Sequence, residues 1–231
     1  MHRVKRVMAH PQFQKISIVQ CMDSGMQWVE PQPELSELVA VYGNYSLRYG
    51  RHMAHGALIP AFVSRRAKAQ RAFIERWAPP VSLRSDMTVA EMGAGWAELS
   101  LELSRSAGKV TSYDIDPESV SFIRSRIESA GHGSNHTVVM GTLEAQTSDA
   151  VAPGSIDLIV SSMVFEHVPQ PRAALSKWIS LLRPGGLIFI EVPNENPVPN
   201  WWGRDEANPY WVGHLSFFSL KHLVAMVESL G

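Results

Sequence analysis

Apolar positions along this chain follow two periods, and the change from one to the other divides it. From position 34 to about 76 the spacing is helical: Phe62, Ala69, Phe73 and Trp77 recur together, with Arg65, Arg66, Lys68 and Arg71 between them. Pro79-Pro80 stops that helix, so an N-terminal extension is expected over 1–79 and a main domain over 80–231. Residues 1–35 are weakly patterned and broken by Pro11, Pro31 and Pro33; only Ile16-Ser17-Ile18-Val19 reads as a short strand. After Asp86 short apolar runs alternate with helical ones. Strands are expected at 88–92, 110–114, 137–140, 157–161 and 187–192, and helices at 97–106, 116–131 and 171–182. Asp116 suits a helix N-cap and Pro117 the first helical position, while Gly108 suits a helix C-cap. Strands so uniformly apolar are buried on both faces. The fold class expected is α/β: a doubly wound, mostly parallel sheet with right-handed crossovers, preceded by a helical N-terminal extension.

Composition narrows the field only by exclusion. The 231 residues are 45% hydrophobic and 19% charged with a net charge of −1, which gives no electrostatic reason to expect nucleic acid as the partner. The run Arg65-Arg66-Ala67-Lys68 is explained by a solvated helix face. With Cys21 as the one cysteine no intrachain disulfide can form. The basic start Met1-His2-Arg3-Val4-Lys5-Arg6 is followed by no apolar signal region. No apolar run approaches the ~20 residues that span a bilayer. A cytoplasmic protein without a membrane partner is expected.

Chemistry concentrates where the first expected strand ends. Val89-Ala90-Glu91-Met92-Gly93-Ala94-Gly95-Trp96-Ala97 runs from a strand through glycines into a helix, which brings backbone N–H groups and a helix N-terminus against a ligand. Tyr113-Asp114-Ile115-Asp116-Pro117 ends the next strand in acid, and Asp114 is placed to accept from both hydroxyls of a ribose. A dinucleotide fingerprint needs glycine at position 98, where this chain has Glu98. That disfavours a nicotinamide-dependent oxidoreductase.

These runs, with Gly141-Thr142-Leu143-Glu144, Val164-Phe165-Glu166-His167-Val168, Leu182-Arg183-Pro184-Gly185-Gly186 and His214-Leu215-Ser216-Phe217-Phe218-Ser219, occur in an order that resembles the class I S-adenosylmethionine-dependent methyltransferases. The resemblance is to the branch of ubiquinone-biosynthesis-type and small-molecule O-methyltransferases and covers about 80–231. It implies a Rossmann-like methyltransferase fold and S-adenosyl-L-methionine as cofactor. Glu91, Gly93 and Gly95 would hold its methionine end, Asp114 the ribose, and Ile115, Thr142 and Leu143 the adenine; Ser161 would close the site. Two positions depart from the pattern: Ala97 stands at the usual third glycine and Thr142 at a usual acid. The reaction implied is methyl transfer to a small-molecule acceptor, with oxygen favoured. A non-catalytic partner that keeps the fold is the alternative.

Around the cofactor the reading stays open in two places. His167 or His214 could act as general base near neutral pH, or Glu166-His167 could shape a helix start under the cofactor. Trp201, Trp202 and Tyr210 could wall an aromatic acceptor with Arg204 meeting an anion, or the same loop could be a lid or an interface. Cys21-Met22-Asp23-Ser24-Gly25 looks like half of a degenerate zinc ribbon, and no metal is expected, because zinc needs about four nitrogen or sulfur ligands. In the family a further strand pair normally follows the last helix. Its apparent absence would expose the edge of strand five, so a fragment, a second copy or a partner chain covering that edge is expected.

Overall fold

A computed structural model describes residues 4–9, 15–34, 36–38, 58–77, 83–194 and 213–231. The chain forms two compact units, one of Ser36–Ser162 with Lys177–Ile190 and the other of Met1–Leu35, Met163–Ser176 and Glu191–Gly231.

The first unit carries the sheet expected from the alternation of strands and helices. β4 (Thr88–Met92), β5 (Lys109–Asp114), β6 (His136–Met140), β7 (Ile156–Ser162) and β8 (Leu182–Glu191) stand in the order β6-β5-β4-β7-β8. β4 pairs in parallel with β5 and β7, and β5 with β6. Succession runs outward from β4 to β6 and then resumes on the other side at β7. That reversal is the topological switch point at which open α/β sheets bind ligands. Register fixes what lies there: Met92 faces Tyr113 and Ser161, and Asp114 faces Met140.

α2 (Glu98–Ser104) and α3 (Pro117–Ser129) follow β4 and β5. Asp116 caps α3 as expected, accepting from Glu118 N and Ser119 N with Pro117 at the first helical position. Gly108 is not a helix cap, since α2 stops at Ser104 with Arg105 as its C-cap. Gly108 instead sits where a Cβ would lie 2.2 Å from the Ser85 carbonyl oxygen. Strand five begins earlier than the apolar run, at Leu182. It needs Gly186 because a Cβ there would lie 3.0 to 3.2 Å from the carbonyl oxygens of Arg183, Ile156 and Asp157.

α1 (Leu58–Trp77) is helical as its spacing predicts, but the buried side differs. Ala67 and Ile74 join the core of Val89, Val110, Leu158 and Val160, while Phe62, Phe73 and Trp77 remain exposed. Long polar side chains share the inner face: Arg71 donates to the Glu102 carbonyl and the Ser106 hydroxyl, and Arg66 and Gln70 to Ser162 Oγ.

In the second unit the weakly patterned N-terminus forms strands. β1 (Val4–Ala9), β2 (Ser17–Cys21) and β3 (Gln27–Glu30) make an antiparallel meander, and β3 pairs with β9 (Ser216–Phe217). Ile18 and Val29 face each other across the ladder and are fully buried. At the ribbon-like turn Ser24 Oγ accepts from Met26 N, and Gly25 N donates to the Cys21 carbonyl. α4 (Pro171–Leu181) lies in the segment after β7, and α5 (Leu220–Glu228) follows β9. No helix among the described residues is long and apolar enough to cross a membrane.

Candidate functional site

At the carboxyl end of β4 the backbone turns through three left-handed residues, Gly93 at φ 61°, Gly95 at 50° and Ala97 at 56°. Glycine adopts this region freely, whereas Ala97 does so against the clash of its own Cβ. The turn is tied to the neighbouring strand. Gly93 N and Ala94 N donate to the Tyr113 carbonyl at 2.8 and 3.2 Å, and Gly95 N donates to Asp114 Oδ2 at 3.0 Å. The other carboxylate oxygen, Asp114 Oδ1, accepts from Asp116 N at 3.0 Å. Burial pushes the Asp114 carboxyl up, and the amides of Asp116 and Gly95 oppose that shift. Each oxygen keeps a lone pair for a further donor.

Glu91 lies one residue before the end of β4 and is buried, with Oε2 finding no hydrogen-bond partner among the described residues. Loss of water pushes its carboxyl up to about 7, against the opposing hydroxyls of Ser100 and Ser112. A buried acceptor without a partner is costly, and a donor brought by a ligand would relieve it. Ser161, opposite Met92, presents a second such oxygen, a fully buried hydroxyl without a hydrogen-bond partner among the described residues. Ile115 is half-buried between two acids. The loop after β6 starts at Gly141, whose N–H donates to the Asp114 carbonyl at 2.8 Å. Leu143 is buried on that loop and Thr142 is half-buried, its carbonyl held by the Gln146 amide at 2.9 Å. The structure thus brings all eight expected cofactor residues to the carboxyl ends of β4 to β7.

The second unit holds a separate cluster. Phe165–His167 forms a short 3-10 turn, not the opening of a long helix. His167 donates from Nδ1 to the Gly213 carbonyl at 2.8 Å, which leaves Nε2 as its basic atom. Nε2 of His167 lies 3.7 Å and Nε2 of His214 3.9 Å from the same oxygen, Glu166 Oε1. The two rings meet edge to face at 4.8 Å. Burial drives His167 down to about 4, and its neighbour His214 pushes the same way. One ligand atom from each of Glu166, His167 and His214 lies within 4.8 Å of the others, so the group could hold a proton or a cation. The sequence presents the two histidines separately; Glu166 comes beside both because two bonds join their segments, His167 Nδ1 to the Gly213 carbonyl and Leu215 N to the Glu166 carbonyl, each at 2.8 Å. The expected acceptor contacts Trp201, Trp202, Arg204 and Tyr210 lie outside the described residues.

Arg126 escaped the sequence reading. On α3 it donates from Nη1 to the Trp96 carbonyl and pairs with Glu98 Oε1 at 2.7 Å. The only local signal was Glu98, read as a missing glycine and not as the anchor for a guanidinium.

The methyltransferase-domain family profile matches residues 62–231. A ubiquinone biosynthesis O-methyltransferase of Xanthomonas euvesicatoria is 32% identical over 110 residues, 48% of this chain and 44% of that protein. The chain thus spans less than half the length of that curated relative. Among solved structures, magnesium protoporphyrin IX methyltransferase of Synechocystis with bound SAH superposes with a TM-score of 0.64 at 13% identity, covering 86% of this chain and 89% of that one. A SAM-dependent methyltransferase of Aquifex aeolicus gives 0.52 at 17% identity, covering 74% and 87%. These likenesses show a shared fold.

Proposed function

Because the chain belongs to the methyltransferase-domain family, we propose that it binds S-adenosyl-L-methionine at the turn 93–97 and passes the methyl group to a small-molecule acceptor at oxygen. The observation that carries this reading is Asp114. Its carboxylate ends β5 at the switch point, is held there by Gly95 N and Asp116 N, and retains a lone pair on each oxygen for a ribose diol. The residues present fit the rest of the cofactor. Glu91 Oε2, buried and without a hydrogen-bond partner among the described residues, suits the amino group of the methionine end, beside Gly93 and Gly95. Ile115, Thr142 and Leu143 are the proposed adenine contacts, and the Ser161 hydroxyl is a further one. The cofactor supplies a methyl group already activated on sulfonium.

The chain's own residues then have little to do beyond orienting, excluding water and moving one proton. We assign the proton to His167, with His214 beside it. Burial keeps His167 neutral at pH 7, its Nδ1 is fixed on Gly213, and Glu166 Oε1 lies 3.7 Å from its Nε2. Trp201, Trp202, Arg204 and Tyr210 are the proposed acceptor contacts. The resemblance of this chain to the ubiquinone-biosynthesis enzymes supports an oxygen acceptor. The single cysteine supports a reducing, cytoplasmic setting. A second copy or partner chain along β8, the outermost strand of this sheet among the described residues, is the proposed cover for that edge.

Calorimetric titration with S-adenosylmethionine, beside Asp114→Ala and an NAD control, tests the reading. Micromolar affinity is expected, falling about tenfold or more in the variant, as loss of a charged hydrogen-bond acceptor implies. NAD should give no heat. A wild-type chain silent to S-adenosylmethionine overturns the proposal.

A further inference from the structure

The turn that would hold the cofactor contains a residue that does not adopt its conformation willingly. Ala97 has φ 56° and is fully buried, and it opens α2 as an N-cap that makes no side-chain capping bond. Nothing in its own side chain favours the left-handed region, and a Cβ opposes it. Gly93 and Gly95 in the same turn carry no such penalty.

The neighbours of Ala97 supply the missing constraint. The residue before it gives its carbonyl to Arg126 Nη1, and the residue after it gives its carboxylate to Arg126 Nη2 at 2.7 Å. A guanidinium is a rigid planar fork, so these two bonds fix the distance between Trp96 and Glu98 and leave the peptide between them little freedom. Phe122, one turn earlier on α3, holds the fork in place: its ring meets the Trp96 ring edge to face at 5.8 Å and lies 5.9 Å from the Arg126 guanidinium carbon. On its other flank the turn is held by the bond from Gly95 N to Asp114 Oδ2. Both anchors belong to one stretch of chain, because α3 starts immediately after Asp114 and Asp116, whose N–H is itself bound to Asp114.

We propose that Arg126 is a positioning residue for the cofactor: its fork across Trp96 and Glu98 holds Ala97 in the left-handed conformation and so keeps the Gly95 N–H on Asp114. Arg126 need not touch the cofactor. The proposal rests on the reading that this turn and Asp114 bind S-adenosylmethionine. An ion pair that merely decorated the surface would contribute little to affinity, and the role is distinguished from that by the residue through which it acts. With glycine at 97 the left-handed conformation needs no enforcement, so the clamp becomes dispensable.

The test uses the full chain with S-adenosylhomocysteine as probe, in wild type, R126Q, R126K, A97G and the double variant R126Q/A97G, each checked by thermal melting. R126Q is expected to bind about tenfold more weakly or worse, the size of coupling seen between groups in direct contact. R126K should fall between, keeping the charge on Glu98 but not the fork. A97G sets the reference affinity of a turn with glycine at 97, and R126Q/A97G should fall below that reference far less than R126Q falls below wild type. Hydrogen exchange at the Gly95 amide, measured without any probe, should quicken in R126Q and slow again in the double variant. Equal affinity and exchange in wild type and R126Q overturns the proposal, as does a double variant that falls as far below A97G as R126Q falls below wild type. If glutamine at 126 prevents folding, R126K and R126K/A97G read the same rescue. A wild-type chain that binds no S-adenosylhomocysteine overturns the cofactor reading, whereas the Gly95 exchange still decides whether the clamp acts on the turn.

Discussion

At the scale of single residues, Glu91 is the side chain whose placement works most against its charge. Its carboxyl is pushed from 4.5 to about 7 by burial, which corresponds to about 3 kcal/mol in favour of the neutral form. A raised folded-state value means that the associated stability is complete below pH 4.5 and disappears as pH rises through 7. Glu91→Gln removes this dependence. The variant is expected to exceed wild type in stability by up to about 3 kcal/mol above about pH 8 and to lose that advantage near about pH 5. Urea denaturation at the two pH values checks this, and a constant difference between the proteins would count against it. The positions of Glu91, Gly93, Gly95 and Asp114 were legible in the sequence because each depends on a few neighbours: a strand end, a turn, an acid before a helix. Arg126 was not legible. Its carbonyl partner Trp96 lies 30 residues away, and no local period announces a contact made by a long side chain.

At the scale of elements, the strand–helix alternation predicted the sheet, because strands buried on both faces write their length directly into an apolar run. The elements that escaped are those whose burial depends on a distant partner. β3 finds one edge partner in β9, near the other end of the chain, and strands this short carry little signal by themselves. α1 shows the converse error. Its aromatic residues recur at helical spacing, yet the side that packs is set by Ala67 and Ile74 with polar side chains around them. A small residue lets the helix come close, and a purely hydrophobic reading overlooks it. Gly108 gives a prediction at this scale. Glycine there is required by the Ser85 backbone and not by helix capping, since an added Cβ would sit 2.2 Å from a carbonyl oxygen. Gly108→Ala must displace backbone and is expected to cost about 1–3 kcal/mol. Gly133→Ala, where a Cβ meets nothing within 4 Å and φ is ordinary, should leave stability nearly unchanged. Equal denaturation midpoints for the two variants would refute this account.

For the molecule as a whole, opposing buried groups decide the acid response. His136 and His167 are both held down to about 4 by burial. A depressed histidine contributes stability that is present above its unfolded value of about 6.5 and is lost as pH falls through about 4. Glu91 and Asp114, both pushed up by burial, act in the opposite sense. His136 by itself is expected to withdraw about 3 kcal/mol between about pH 7 and pH 4, so replacing it by a neutral residue should flatten the curve by about that amount. Denaturant titrations of wild type and variant across that range provide the check; parallel curves would contradict it.

The bond from Gly95 N to Asp114 Oδ2 also sets a rule for how this chain can drift in length. Its partners are 19 residues apart, and the interval is filled by one helix, one sharp connection and one strand. Adding a residue displaces the downstream backbone by about 1.5 Å in a helix or about 3.3 Å in a strand, more than a hydrogen bond tolerates. Insertions and deletions inside α2 or β5 are thus disfavoured. They find more room at 147–153, in the connection between β6 and β7, where the backbone N–H groups of Ala150 and Val151 donate to the Thr147 carbonyl in the same turn. The spacing from glycine to acid is in effect a ruler built into the polypeptide, and descendants of this chain can vary its letters far more readily than its length.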